Sequence, residues 1–220
     1  WVIEANENGN SLHSGKNGFN HLMWEMKESG DNYVTFYHYS PQEEQGFPGN
    51  MHVTVTYTLD DEDTVHITYN AKADADTVMN FTNHSYFNLA GHDSGVMLDQ
   101  KLQLFADAYT PDEDSHSIPT GEIAPVAGTP MDFTTMKPIG QDINADFEQL
   151  HFTGGYDHNY VLSDKPGTMR QMAKAECDAS GIAMDAYTEC CGVQLYAGNF
   201  IGTQTGKGGV TYGDRHGFCL

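Results

Sequence analysis

Hydrophobic and polar side chains alternate strictly along residues 51–59, which read MHVTVTYTL. In an extended chain the Met, Val, Tyr and Leu residues face one side, and the His and Thr residues face the other. An acidic turn signal, DDED, follows, and residues 65–71 (VHITYNA) repeat the alternation with Val, Ile, Tyr and Ala inward. The two segments predict a β-hairpin with one buried face and one wet face.

Further strand candidates are rich in Val, Tyr, Phe and Leu, and Gly, Pro, Asp and Asn clusters separate them. They are residues 33–39, 101–109, 158–162, 170–177, 182–188 and 192–200. Only residues 141–151 (QDINADFEQLH) have a helical pattern, over about two to three turns. Many short strands with few helices predict an all-β fold, an antiparallel β-sandwich.

The stretch VMNFTNHSYFNL, residues 78–89, also alternates, and we interpret it as a strand. One face is polar yet nearly free of charge, and it consists of Val78, Asn80, Thr82, His84, Tyr86 and Asn88. A solvated face in an acidic protein should carry more charge, so this stripe fits a cleft that binds hydroxyl groups. An ordinary wet face, or a histidine satisfied in the core, explains the pattern equally well.

The charge balance restricts the partners of the protein. The chain has 31 acidic and 10 basic side chains, with a formal net charge of −21. This acidity argues against nucleic acid and against anionic membrane surfaces as partners. It also argues against a phosphorylated sugar as substrate, since Arg170 and Arg215 are the only arginines.

The four cysteines predict reduced thiols rather than a disulfide framework. They form no C-x-x-C pair, and the adjacent Cys190 and Cys191 do not bridge each other easily. No apolar run is long enough to cross a bilayer. We therefore expect a cytoplasmic protein without membrane contact.

Six segments occur in the order found in aldose 1-epimerases (galactose mutarotases), a family that this chain resembles over residues 10–220. They are NSLHSGKNGFNHLMWE, TNHSYFNLAG, SIPTGEIAPVAGTPMDF, GGYDHNYVL, GVQLYAGNF and HGFCL. The resemblance implies a large antiparallel β-sandwich. It also implies interconversion of the α and β anomers of a free aldose such as galactose or glucose, with neither cofactor nor metal. The partner is then a small-molecule aldose, and the oligomeric state is not indicated.

The resemblance also assigns roles to individual residues. His84 in TNHSYFNL corresponds to the general acid that protonates the ring oxygen, a role that suits a side chain titrating near neutrality. His13 in NSLHSG corresponds to a second histidine that binds the sugar near its reacting end. Asp157 in GYDHN and Gln194 in GVQLYAGN correspond to groups that bind sugar hydroxyls. The remaining nine histidines are expected to be surface groups.

The chain departs from the family pattern at both ends. The family's catalytic base is the glutamate that ends the GFCLE segment, and this chain ends at Leu220, one residue short of it. An arginine that precedes NSLH in the family has no counterpart after Trp1. We therefore expect residues 1–220 to be one incomplete domain, truncated at both ends, with little or no activity alone.

Three alternatives remain at the level of sequence. A non-catalytic carbohydrate-binding domain of the same fold would lack a glutamate after Leu220. A hexose-phosphate epimerase would need clustered basic residues for the phosphate. A metal-binding protein would need histidine or cysteine spacings that this sequence does not contain.

Overall fold

Antiparallel strands make up most of the regular structure in this computed structural model, which describes residues 1–162 and 165–220. The chain divides into two compact units, residues 1–83 and residues 84–220, and each is described by itself. The expectation that residues 1–220 form a single domain stays a prediction.

The first unit contains one four-stranded sheet in which sequential strands are neighbours. Its strands are β1 (Glu25–Ser29), β2 (Tyr33–Ser40), β3 (Met51–Leu59) and β4 (Val65–Ala73). The predicted hairpin is confirmed, because β3 and β4 pair from Met51 with Ala73 to Leu59 with Val65. The Asp60 carboxylate closes the turn by accepting the backbone N–H groups of Glu62 and Thr64 at 2.9 and 3.0 Å.

The alternation predicts burial correctly at only one end of this hairpin. Met51, Val53 and Val55 are buried, as expected. Leu59 and Val65 were expected to face inward, but they are 55% and 60% exposed. These two residues are cross-strand partners next to the turn, so they lie beyond the part of the sheet whose inner face is covered.

The second unit contains two four-stranded antiparallel sheets. One has the strand order β11-β10-β5-β8, the other has the order β12-β9-β6-β7, and a two-stranded ribbon, β13-β14, follows. The strands are β5 (Lys101–Leu104), β6 (Ala108–Tyr109), β7 (Ala124–Pro125), β8 (Lys137–Pro138), β9 (Asp157–Val161), β10 (Arg170–Glu176), β11 (Ala183–Thr188), β12 (Gly192–Tyr196), β13 (Gln204–Thr205) and β14 (Thr211–Tyr212). The helices described in the two units are one α-helix, α1 (Glu148–Phe152), and 3-10 turns at Glu44–Gly46 and Lys207–Gly209.

One buried cluster joins the two large sheets of the second unit. Leu102 and Leu104 from β5 and Ala173 from β10 belong to it, and so do Tyr160 from β9 and Leu195 from β12. Side chains from both sheets thus form a common core, which is the arrangement of a β-sandwich. The predicted all-β antiparallel fold is confirmed in these sheets.

Three predicted elements are wrong in extent. The strand predicted over residues 192–200 ends at Tyr196, the last residue of β12. Residues 101–109 were expected to form one strand, but the chain leaves the first sheet after Leu104 and enters the other at Ala108. The predicted helix over residues 141–151 is reduced to α1, and a turn in which the Ala145 N–H donates to the Asp142 carbonyl precedes it. The Asp142 carboxylate binds Lys137 Nζ at 2.7 Å, and Asp and Asn side chains of this kind favour turns over helix interiors.

Candidate functional site

His84 lies in a segment without regular secondary structure. Residues 74–86 contain no strand, and Phe87 makes an isolated bridge with Phe218. The strand predicted for residues 78–89 is therefore wrong, because alternation indicates an extended chain but cannot supply a neighbouring strand. The polar face is nevertheless on the outside, since His84 and Tyr86 are exposed while Leu89 is buried.

Two tyrosines surround the His84 ring. The Tyr86 ring stacks on it, with ring centroids 5.1 Å apart and an angle of 24° between the planes. The Tyr196 ring meets it edge-on at 6.3 Å and 82°, and it meets the Tyr86 ring at 6.2 Å and 75°. Both geometries are preferred for aromatic pairs, so His84 belongs to a three-ring cluster.

The strands β9 and β12 bring the predicted carboxylate and amide together. Tyr196 pairs with Asp157, and Gln194 pairs with Asn159, so Asp157 and Gln194 are diagonal neighbours on one face. Gln194 Nε2 donates a hydrogen bond to Asp157 Oδ1 at 2.8 Å. This contact orients the carboxylate.

The electrostatics of Asp157 connect it to His84. Burial raises the pKa of Asp157, whereas the hydrogen bond from Gln194 and the charge of His84 lower it. An ionised carboxylate in such a partly dry position is stabilised by additional hydrogen-bond donors. Sugar hydroxyl groups are donors of this kind.

The tyrosine and cysteine side chains beside Asp157 stay protonated near neutral pH. Burial, together with the negative charges of its neighbours, raises the pKa of Tyr86 to about 12. Burial and the charge of Asp157 raise the pKa of Cys219 to about 12. Tyr86 is therefore a neutral phenol, and the Cys219 thiol is unreactive.

The C-terminal segment lies alongside the cluster. Cys219 and Tyr196 exchange backbone hydrogen bonds at 2.8 and 3.2 Å, and Phe218 and Phe87 exchange bonds at 3.0 and 2.7 Å. Residues 218–219 thus run between β12 and the segment that carries His84.

The sequence interpretation missed Tyr86, Tyr196 and Cys219 as site residues. Tyr86 was already on the polar stripe, and Tyr196 lies two residues after Gln194 on the same strand face, so alternation could have identified both.

The four predicted site residues divide between the two units. The second unit brings His84, Asp157 and Gln194 together. His13 belongs to the first unit, where it is exposed at a turn with a φ of 50°, in the left-handed region. Its role beside the other three stays a prediction.

Three histidines expected at the surface are not exposed, and one of them, His216, is half-buried. His38 is half-buried next to Glu44. His158, directly after Asp157, is buried, and burial lowers its pKa to about 4. Its Nδ1 accepts the backbone N–H of Asp157, and its Nε2 lies 3.9 Å from Oδ2 of the buried Asp112. Because His158 is neutral above that pKa, this contact is not an ion pair at pH 7.

The four cysteines are unbonded, as expected, and Cys177 and Cys219 are buried. Within residues 1–162 and 165–220, no three His, Cys, Asp or Glu side chains come together in a way that could hold a metal ion. In the same part of the chain, no helix has the length and apolar character needed to span a bilayer.

The model of the family described as aldose 1-epimerase matches residues 2–220. The chain belongs to the aldose 1-epimerase family. Galactose mutarotases from Rattus norvegicus and Homo sapiens are each 41% identical to it over 221 residues, and an aldose 1-epimerase from Escherichia coli is 36% identical over 219 residues. Each alignment covers 100% of this chain and 62% of the relative, so the chain spans less than two thirds of the length of these aldose 1-epimerases.

Two solved structures resemble this chain. A GalM/aldose epimerase homologue from C. elegans has a TM-score of 0.85 and 27% identity, and the match covers 97% of this chain and 63% of the homologue. A galactose 1-epimerase from Lactobacillus acidophilus has a TM-score of 0.78 and 26% identity, with 99% and 62% covered. These similarities confirm the predicted galactose mutarotase-like fold.

Proposed function

We propose that this chain carries the sugar-binding and acid-donating part of an aldose 1-epimerase. The reaction interconverts the α and β anomers of a free aldose such as galactose or glucose. A base takes the proton of the C1 hydroxyl, an acid protonates the ring oxygen, and the bond between C1 and that oxygen breaks. The open-chain aldehyde rotates about C1–C2 and closes on its other face, with both proton transfers reversed.

His84 is the proposed acid. The observation that carries this assignment is that the His84 ring lies in one cluster with Tyr196, the strand partner of Asp157, and that its charge acts on the Asp157 carboxylate. Imidazole can hold or release a proton near neutral pH, as both directions of the reaction require. A positioned acid of this kind typically contributes about 10² to 10⁴-fold to a rate.

Asp157 and Gln194 are the proposed ligands of the sugar hydroxyls. Gln194 occupies one carboxylate oxygen of Asp157, and the other can accept a hydroxyl hydrogen. The amide of Gln194 also has an oxygen that can accept one. His13 is proposed to bind near C1, on the family resemblance alone.

The proposed base is the glutamate that ends the GFCLE segment of the family, directly after the position of Leu220. The Cys219 backbone pairs with that of Tyr196, a member of the three-ring cluster. A residue two positions after Cys219 would therefore lie at the edge of this cluster. In an extended chain, residues two apart point to the same side. Such a glutamate would therefore face the same side as Cys219, towards Asp157.

The substrate is proposed to be an uncharged aldose rather than a sugar phosphate. Arg170 donates to the carbonyls of Cys190 and Lys165, and Arg215 donates to the carbonyl of Gly154. Both guanidinium groups thus donate to backbone carbonyls and are not oriented for a bidentate contact with a phosphate. The formal net charge of −21 further disfavours an anion.

The test is mutarotation of freshly dissolved α-galactose, followed by polarimetry. The chain is expressed together with whatever its gene encodes on either side, and it should accelerate the approach to equilibrium. Asp157→Asn should raise KM about tenfold or more, since a hydrogen bond to a charged group is worth roughly 1.5–3 kcal/mol. The matched control is Asp146→Asn at a fully exposed carboxylate, which should change nothing.

Sugar binding without acceleration would instead favour the non-catalytic carbohydrate-binding domain. A phosphorylated aldose accepted in preference to galactose would contradict the proposed substrate. A cytoplasmic location is proposed as well, supported by the four unbonded cysteines.

A further inference from the structure

Tyr86 is the aromatic side chain in closest ring contact with His84 in the three-ring cluster. Its ring is nearly parallel to the imidazole at 5.1 Å, whereas Tyr196 meets both rings by an edge. His84 and Tyr86 lie two residues apart in a segment without a strand ladder. Regular backbone pairing therefore does not dictate where the imidazole points, and the contacts with neighbouring rings contribute to its orientation.

We propose that Tyr86 is a positioning residue, which holds the His84 imidazole in one orientation by stacking while Tyr196 closes the edge. The inference rests on the proposed function, because it concerns the orientation of the proposed acid. Tyr86 itself exchanges no proton in this account. Its contribution is that of a flat surface against which the imidazole packs.

The two tyrosines are themselves held in place. A Cβ on Gly217 would lie 3.1 Å from the Tyr86 Cβ, so the backbone of the C-terminal segment packs directly against Tyr86. The Tyr196 hydroxyl accepts the Phe200 N–H at 2.9 Å, and the Tyr196 backbone pairs with Cys219. Because these contacts hold Tyr86 and Tyr196, the two tyrosines can orient the His84 ring. A catalytic group on an irregular segment requires such support.

The expected size of the effect follows from the stack. An offset aromatic pair biases side-chain populations by roughly 2- to 10-fold. Misplacing a reacting group by about 1 Å can cost up to 10²-fold in rate. Removing the Tyr86 ring should therefore lower kcat by roughly 3- to 30-fold and leave KM within about 2-fold, since the sugar ligands Asp157 and Gln194 are unchanged.

The contact is tested first by NMR on the unmodified 220-residue chain. Cross-peaks between the ring protons of Tyr86 and His84 are expected. In Tyr86→Leu the His84 ring signals should move downfield as the ring current disappears, and in Tyr86→Phe they should stay. Tyr187→Leu is the control, because Tyr187 is 55% exposed against 51% for Tyr86 and lies on β11. Absent cross-peaks, or unchanged His84 signals in Tyr86→Leu, would overturn the inference.

The rate is tested in the chain expressed with its flanking coding sequence. Tyr86→Leu should lower kcat as given above, Tyr86→Phe should restore it to within about 3-fold, and Tyr187→Leu should have no effect. His84→Gln in the same assay separates the two ideas. If His84→Gln abolishes the rate and Tyr86→Leu leaves kcat unchanged, the positioning role is wrong and the proposed function stands. If His84→Gln has no effect, the acid role is wrong, and the positioning role is lost with it.

Discussion

Replacing Asp112 by Asn should stabilise the protein at neutral pH and leave it unchanged in acid. Asp112 is buried and faces His158, and no donor to its Oδ2 is present among the described residues. Burial, with smaller contributions from the charges of Asp157 and Asp114, raises the pKa of Asp112 from 3.8 to about 6. Asn has nearly the same shape and carries no charge.

The magnitude follows from the two pKa values. A tenfold difference in proton affinity corresponds to about 1.36 kcal/mol, so the shift from 3.8 to about 6 amounts to about 3 kcal/mol. The folded state holds the Asp112 proton more tightly than the unfolded state. The contribution of this group to the free energy of unfolding is therefore fully present below pH 4, and it is lost as the pH rises to about 6.

The assay is urea unfolding at pH 4, 5, 6 and 7, with the unfolding free energies of the variant and the parent compared at each pH. Asp112→Asn should gain up to about 3 kcal/mol over the parent at pH 7 and nothing at pH 4. The lowered pKa of His158 acts in the opposite direction, but the residue is present in both chains and largely cancels in the difference. Asp146→Asn, at an exposed carboxylate, is the control. A difference that is independent of pH, or a loss of stability at pH 7, would show that the buried Asp112 charge does not destabilise the folded state.

Two further stability predictions follow from the packing of the second unit. Gly155→Ala should cost more than about 2 kcal/mol by thermal unfolding, because a Cβ at its φ of 137° would meet Arg215 Nη1 at 2.7 Å. Gly128→Ala, also at positive φ but in open space, should cost only about 1 kcal/mol, and equal losses at the two glycines would contradict the clash. Phe218→Ala should cost about 3–5 kcal/mol in urea unfolding because its ring is fully buried, whereas the 71% exposed Phe200 should tolerate the same change within about 0.5 kcal/mol. Comparable losses for both phenylalanines would show that burial does not set the cost.

Alternation along the chain predicts local conformation but not the partner of a segment. It identifies the β3–β4 hairpin because both strands and their turn are contiguous. It fails at residues 78–89, where no strand forms and Phe87 alone makes a bridge, with Phe218. The helix over residues 141–151 fails for a different reason, since Lys137 binds the side chain of Asp142 and a turn takes the place of the first helical residues.

The candidate site was predictable residue by residue but not as an arrangement. The motifs identify His84, Asp157 and Gln194, and the structure places these three in one unit. The hydrogen bond between Gln194 and Asp157 joins residues 37 positions apart, and it depends on the register of β9 and β12. The stacking of Tyr86 on His84 depends on side-chain packing within an irregular segment. Sequence alternation carries no information on either.

The most direct test of the central claim is the mutarotation rate of α-galactose with His84→Gln, measured by polarimetry on the chain expressed with its flanking coding sequence. Gln keeps a hydrogen-bonding side chain of similar length but cannot deliver a proton. If His84 is the acid, kcat should fall about 10² to 10⁴-fold. His66→Gln, at an exposed histidine that binds Asp60 in the first unit, should leave the rate unchanged. A His84→Gln rate close to that of the parent would show that His84 is not the acid.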